Sequence, residues 1–335
     1  MKKILVTGGA GFIGSNFVRH MLNKYPEYHI HVLDAMTYAG NLENLADVAL
    51  NPNLYFFTGD IRDEALIDNL VPNMDAIVNF AAETFVDRSI QSPGDFITTD
   101  VVGTFRLLEA ARRSKIERFL HVSTDEVYGS VEEGSSLESD PIEPNSPYSA
   151  SKAGGDLLVR SYFVTYNLPV MITRASNNYG PFQHPEKLIP FFISSAMDDH
   201  QLPVYGDGQQ VRDWLFVNDH CKAIDTVLHK GEIGNVYNVG AGYERTNMQV
   251  TRGILDALGK GDSLIKYVAD RPGHDRRYSV DCSKLRSLGW APEVSFEEGL
   301  PQTVKWYVEN EGWWRRIKDG QSYKDFHSAW YKERV

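Results

Sequence analysis

Thr124, Asp125 and Glu126 stand in the stretch STDEVYG, directly after the hydrophobic run Arg118–Val122. A hydroxyl followed by two adjacent carboxylates has two readings. One is a strand end at which Thr124 or Asp125 caps the next turn. The other is an acid and a base held at the mouth of an active site. A second pair bears on the choice. In YSASK, Tyr148 and Lys152 are four residues apart at the start of a helix-like segment, so both project from one face. An ammonium beside a phenol favours the phenolate, which predicts a lowered Tyr148 pKa and a base for an alcohol proton.

A third motif supplies a partner for such a base. TGGAGFIG places Gly8, Gly11 and Gly14 at G-x-x-G-x-x-G spacing, straight after a strand-like run and opening a helix-like one. Glycines there allow a tight turn and bring backbone N–H groups and a helix N-terminus to a pyrophosphate. Asp34 ends the second strand-like run, 20 residues after Gly14. Its carboxylate can take both ribose hydroxyls of an adenosine and would repel a 2′-phosphate, so NAD is expected over NADP. Asp60, in Gly59–Ile61, fits an adenine contact or a cap equally well. The alanines of Asn79–Thr84 would let backbone pass close to a cofactor.

The elements that must position these groups follow a simple rhythm. KILVTG, HIHVLD, NLYFFTGD, DAIVNF, RFLHVS and PVMITR are apolar and do not alternate, as expected for parallel strands covered on both faces. Helical spacing falls between them, notably over Gly94–Lys115 and Tyr148–Tyr166. The expected fold class is therefore α/β: a doubly wound parallel sheet over residues 1–176, with a smaller mixed α/β lobe over 177–335. Late strands can return to the first sheet. In the second half, QLPVYGDG and RDWLFV read as short strands with a turn. Glu132–Pro147 is too rich in Pro, Ser and Glu for an element interior, and a loop that long usually covers something. Trp306, Trp313 and Trp314 are expected in packing.

Composition narrows the class. The chain has 335 residues, 42% hydrophobic and 24% charged, and a net charge of −11. That balance argues against general nucleic-acid or anionic-membrane binding. Two cysteines, Cys221 and Cys282, lie outside any metal-type spacing, so neither a metal site nor a disulfide framework is expected. With no signal-like segment and no apolar run of membrane length, a cytoplasmic protein is expected.

Taken together, the glycine spacing, Thr124 and the Tyr148/Lys152 pair resemble the extended short-chain dehydrogenase/reductases that act on nucleotide sugars. STDEVYG, RASNNYGP, EKLIP, GDGQQVRDW and RPGHDRRY narrow the resemblance to the dTDP-glucose 4,6-dehydratases, over essentially the whole chain. That family oxidises C4 of the hexose, removes water across C5–C6 and reduces C6, regenerating NAD each turnover. The resemblance implies Tyr148 with Lys152 as the C4 base, Glu126 as the C5 base, Asp125 as the acid for the leaving hydroxyl, and Thr124 as the group orienting the C4 hydroxyl. Burial and the Glu126 charge would have to raise the Asp125 pKa. The implied cofactor site comprises Gly8, Gly11, Phe12, Ile13, Gly14, Asp34, Thr37, Asp60, Ile61, Phe80, Ala81, Ala82, Thr99, Tyr148, Lys152 and Asn177. The implied substrate site comprises Thr84, Asn178, Lys187, Leu188, Pro203, Tyr205, Arg212, Asn247, Arg271 and His274, with Lys187, Arg212, Arg271 and His274 offering cationic and donor groups to a diphosphate.

One position departs from the pattern. Before VDRS the family commonly carries Ser-His, and this chain carries Thr84-Phe85. The hydroxyl is kept and the imidazole is lost, which leaves UDP-glucose open beside dTDP-glucose as substrate. A 4-epimerase or a nucleotide-sugar decarboxylase would share Tyr148 and Lys152 without needing the Asp–Glu pair. A non-catalytic NAD-binding protein would need none of the five catalytic residues. The resemblance also implies a homodimer, paired through Gly94–Lys115 and Tyr148–Tyr166.

Overall fold

The computed structural model describes residues 1–331. Six of the apolar runs become β1 (Lys3–Thr7), β2 (His29–Asp34), β3 (Leu54–Thr58), β4 (Ala76–Asn79), β5 (Arg118–Thr124) and β6 (Val170–Ala175). Beyond them lie β7 (Asn177–Tyr179), β8 (Leu202–Tyr205), β9 (Val211–Phe216), β10 (Val236–Val239), β11 (Glu244–Thr246) and β12 (Ile265–Val268). The main sheet runs β10-β6-β5-β4-β1-β2-β3, with every neighbouring pair parallel. The winding direction reverses between β1 and β4, and a crevice opens there at the C-terminal ends of the strands.

Both faces of this sheet are buried, which explains the lack of alternation in its sequence. Ile4 and Val6 of β1 point into one core with Phe17, Val18 and Met21 of the Phe12–Lys24 helix. Leu5 points into the other, with Leu107 and Leu108 of the Thr104–Ser114 helix. The later strands divide. β10 returns to the main sheet beside β6. β9 lies between β7 and β11, while β8 pairs with β12. The two strands flanking the Gly206–Gly208 turn therefore belong to separate small sheets and not to one hairpin. Tyr179, Trp214, Phe296, Tyr307, Trp313 and Trp314 form the core of this second lobe, and Trp306 packs against it.

The two expected helices differ in their fit. The second is Pro147–Tyr166, started by Pro147 in its first turn and a reciprocal Ser146/Ser149 capping box. The first is interrupted: a short turn at Pro93–Phe96 leads into a π-helical segment, Ile97–Gly103, before Thr104–Ser114 continues as α-helix. An apolar period does not reveal a residue inserted into one turn. The segment holds Asp100, whose buried carboxylate accepts from the Glu83 N–H (2.8 Å) and the Ser151 hydroxyl (2.6 Å). The polar stretch Glu132–Pro147 is strapped to the second half of the chain. Glu138 accepts from the Asn238 N–H, and Asn145 donates to Asp275 at 2.7 Å.

On the sheet face carrying the first core, Asp225 clamps the Phe12–Lys24 and Val217–Lys230 helices. Its buried carboxylate meets His20 (2.7 Å), Lys24 (2.6 Å) and the Tyr25 hydroxyl (3.0 Å). Burial alone would raise its pKa, but hydrogen bonds from His20, His229 and Lys24 outweigh that and hold it far below the usual carboxylate range. Asp225→Asn is expected to cost about 2–4 kcal/mol at pH 7. A carboxylate depressed in the folded state stabilises above its unfolded pKa and loses that contribution as pH falls. Denaturant melts should therefore show the gap between parent and variant closing below about pH 4.

Candidate functional site

The crevice begins in the turn after β1. Gly8 has φ +69°, and a Cβ there would lie 2.8 Å from the Ala81 nitrogen, so the Phe80–Ala82 backbone passes directly over it. A Cβ on Gly14 would sit 2.2 Å from the Gly8 carbonyl oxygen, which only glycine permits. Beside this turn, Asp34 accepts from the Ala10 and Met36 N–H groups, each at 2.9 Å. Gly40 keeps the next space clear, since its Cβ would meet the Asp34 carboxylate at 2.7 Å. These residues fit a dinucleotide: a bare turn over a helix N-terminus, with a fixed carboxylate at the ribose end. Asp60 is held by Arg62 (2.6 Å) and lines the same space; the cap of the following helix is Asp63.

One cavity of about 410 Å³ runs from this turn across the strand ends into the second lobe. All the residues expected at either site line it, from Phe12, Ile13, Thr37, Ile61 and Thr99 at the dinucleotide end to Leu188, Pro203 and Asn247 at the other. Asn177 and Asn178 lie in β7 and not in a turn. Asn178 is fixed between the Ser176 carbonyl (3.0 Å) and His220 (2.9 Å).

The carboxylate pair stands where β5 enters a one-turn helix, Asp125–Tyr128. Thr124 caps that turn by accepting from the Glu126 N–H at 3.3 Å, so the cap and the catalytic reading occupy the same residues. The two neighbours live in different fields. Asp125 is 2% exposed, and burial, then the charges of Glu126 and Asp213, push it well above the normal carboxylate range. Glu126 is also raised by burial, but Arg271, Arg212 and Lys187 pull it back. Such a split is the signature of an acid beside a base. Asp125 Oδ2 and Glu126 Oε2 are buried and have no hydrogen-bond partner among the described residues.

Tyr148 departs from expectation. Its pKa is raised well above the ordinary value, by burial first and then by Glu126 and Asp100, with a hydrogen bond to Thr124 opposing. Lys152 shares the helical face but turns to β5, donating to the Val122 carbonyl at 2.9 Å and lying in the field of Asp100 and Asp156. Burial lowers the Lys152 pKa against those two carboxylates, and the Tyr148 phenol stays high despite the shared helical face.

The cationic wall comes from the second lobe. Lys187 donates to the Thr84 carbonyl (3.1 Å), and burial lowers its pKa to about 8. Arg212 is held by the Val211 (2.7 Å) and Asp275 (3.0 Å) carbonyls, and Arg271 by Asp87 (2.9 Å). His274 is no cation here: burial and Arg271 lower its pKa to about 4, so it serves as a neutral donor or acceptor. Tyr205 donates to Asp87 at 3.0 Å. Phe85 holds φ +139°, a strained value for an aromatic residue, while its ring packs on Phe326 and under the Lys187 ammonium.

Sequence reasoning missed Glu83, Asp87, Glu186 and Tyr331, all on the cavity wall. Glu83 and Asp87 flank the Thr84-Phe85 pair and could have been sought there. Burial and Asp100 raise Glu83 to about 7. Tyr331 arrives from a helix at the far end of the described chain, and no motif marks it.

Comparison with known proteins agrees with this geometry. The sequence model of the GDP-mannose 4,6 dehydratase family matches residues 5–303. The chain belongs to that family. The low-salt glycan biosynthesis protein Agl12 of Haloferax volcanii is 54% identical over 308 residues, covering 92% of this chain and 99% of that protein. A dTDP-glucose 4,6-dehydratase of Streptomyces niveus is 51% identical over 94% of this chain and 96% of its own length. Among solved structures, DesIV, a dTDP-glucose 4,6-dehydratase from Streptomyces venezuelae with NAD bound, aligns with TM-score 0.93 and 54% identity. It covers 94% of this chain and 100% of its own.

In this member of the GDP-mannose 4,6 dehydratase family, the buried Asp125 with its raised pKa should impose a stability penalty. A carboxyl whose pKa is raised on folding must take up a proton above its unfolded pKa, so stability falls as pH rises. Asp125→Asn removes that demand. The variant is expected to be more stable than its parent between pH 5 and 8, by a margin growing by up to about 1.4 kcal/mol per pH unit. Urea melts across that range measure it, and a pH-independent margin would count against a proton on Asp125.

Proposed function

We infer that this protein is an NAD-dependent hydro-lyase, converting dTDP-D-glucose to dTDP-4-keto-6-deoxy-D-glucose and water. The observation that carries the reading is the Asp125–Glu126 pair. A buried Asp125 and a part-buried Glu126, driven apart in pKa beside a tyrosine, match a reaction needing one acid and one base on neighbouring carbons. Bound NAD accepts a hydride from C4 and returns it to C6. The turn at Gly8–Gly14 and the Asp34 carboxylate hold its adenosine and pyrophosphate, and Asp34 disfavours a 2′-phosphate.

The chain's own groups do the rest. Thr124 orients the C4 hydroxyl, and Tyr148 takes its proton. Oxidation at C4 acidifies the C5 proton, which Glu126 removes. Asp125 protonates the C6 hydroxyl so that it leaves as water, and Glu126 then returns a proton to C5. Lys187, Arg212 and Arg271 balance the substrate diphosphate, with Asn178 and His274 as further donors. In this division residues 1–176 hold the cofactor and 177–335 supply most of the sugar-nucleotide contacts. A 4-epimerase needs the Tyr148 base but has no use for an acid at C6.

The purified protein should convert dTDP-glucose to a product lighter by one water without added NAD, read by mass spectrometry, and turn over UDP-glucose less well. A product of unchanged mass would mean epimerisation instead. Glu126→Gln should cut product formation by about 10²–10⁴-fold while substrate still reduces bound cofactor, read by absorbance.

The assembly proposed is a homodimer. Ile97, Leu157, Val164 and Tyr166 leave apolar surface exposed on the paired segments Ile97–Gly103 and Pro147–Tyr166. Light scattering should give the mass of two chains, falling to one in Leu157→Glu. A cytoplasmic location is proposed, since both cysteines are free and buried. No helix among the described residues is long and apolar enough to cross a membrane.

A further inference from the structure

We propose that Tyr128 is a positioning residue for the elimination step, its hydroxyl tying the turn that carries Asp125 and Glu126 to the helix that carries Tyr148 and Lys152. This rests on the dehydration reading above. Removing water across C5–C6 needs both carboxyl groups and the C4 base in register on one hexose, although they stand on separate elements. The turn Asp125–Tyr128 has little of its own to fix it. The Thr124 hydroxyl accepts from the Glu126 N–H, and the Glu126 carbonyl from the Gly129 N–H, both at 3.3 Å. Val127 adds a 2.9 Å bond from the Glu143 N–H to its carbonyl and packs with Ala153 of the Pro147–Tyr166 helix. Tyr128 ends the turn outside the cavity lining, in a buried polar chain.

That chain runs from the helix to the polar strap. Asp156, four residues beyond Lys152 on the same helix, accepts from the Arg174 Nε–H at 2.7 Å. Arg174 donates through Nη1 to the Tyr128 hydroxyl at 2.8 Å, and its guanidinium lies over the Tyr128 ring at 4.8 Å. The Tyr128 hydroxyl donates in turn to Asn238 Oδ1 at 2.8 Å, and Asn238 donates to the Ser136 carbonyl at 2.9 Å. Burial pushes the Tyr128 pKa up to about 12, so the hydroxyl keeps its hydrogen and acts as acceptor and donor at once. Asp156, Arg174, Tyr128 and Asn238 are all buried, and none of them lines the cavity. Arg174 precedes Ala175, the β6 residue paired with Thr124, so the ion pair is anchored beside the strand end that starts the turn. Apolar groups of similar volume would keep no hydration to lose, but their contacts have no direction. A buried ionic group can fix a register where an apolar one would slide.

The test is Tyr128→Phe in the NAD-loaded enzyme, which removes one oxygen and keeps the ring. Val159 and Tyr162 hold the helix in the core shared with Leu107 and Leu108, so Tyr148 keeps its place and C4 oxidation should proceed at the parent rate. Elimination should slow about 10- to 100-fold, the loss expected for a misplacement near 1 Å. Reduced cofactor should therefore build up during turnover, read by absorbance, while kcat falls and KM for dTDP-glucose changes by less than about twofold. The deuterium isotope effect on kcat with C5-deuterated substrate should rise. Asn238→Ala cuts the same chain one residue further out and should show the same build-up if the phenylalanine variant folds poorly. Asp225→Asn, which destabilises the fold without touching this chain, should leave the ratio of reduced cofactor to product at the parent value. Equal slowing of cofactor reduction and product formation in Tyr128→Phe would overturn the positioning role, as would unchanged turnover or the same build-up in Asp225→Asn. A parent enzyme that releases no water from the sugar would overturn the reaction reading and this inference with it.

Discussion

Taking two adjacent carboxylates out of water is the constraint on which the rest of this structure depends. Each loses several kcal/mol of hydration, and each repels the other. Two solutions are available, protonation or compensation by cations, and this site uses one for each residue. Burial, then the charges of Glu126 and Asp213, drive Asp125 toward the neutral acid against Arg212 and the Thr124 hydroxyl. Glu126 lies in the field of Arg271, Arg212 and Lys187. All three cations come from the second lobe, so the lobe that completes the cavity also sets the protonation of the pair.

Those cations need anchoring of their own, which gives the polar strap Glu132–Pro147 its purpose. Asn145, at its end, holds Asp275, which also accepts from the Tyr278 hydroxyl at 2.5 Å. The Asp275 carbonyl fixes the Arg212 guanidinium, and the Tyr278 ring lies under it at 4.4 Å. Arg271 is fixed from the main-sheet side by Asp87, which also accepts from Tyr205. The charges around Glu126 are thus pinned from both lobes, and they oppose the rise in its pKa that burial causes.

What was legible in the sequence was what depends on local backbone. The glycine turn, Asp34 and the strand end at Thr124 each follow from a few consecutive residues, and their placement could be read from them. Apolar runs without alternation gave the parallel sheet for the same reason. What was hidden depends on groups brought together late. Glu83 is perturbed by Asp100, and Asp100 is placed by a π-helical insertion that leaves no mark on the apolar period. Tyr331 reaches the cavity from a separate helix, Gln321–Tyr331, far along the chain from the previous lining residue, His274. The sign of the Tyr148 shift went wrong because an i,i+4 spacing places two side chains on one face without saying which neighbour each prefers. Lys152 prefers the Val122 carbonyl and two buried aspartates.

That preference changes what Tyr148 needs in order to act. With burial, Glu126 and Asp100 all favouring its neutral form, the phenol is a poor base until positive charge arrives near it. The oxidised nicotinamide carries a positive charge, and it is lost when the ring accepts hydride. In the proposed reaction a tyrosine so placed would take a proton most readily while that charge is present, and the surrounding carboxylates would then favour keeping that proton on the phenol.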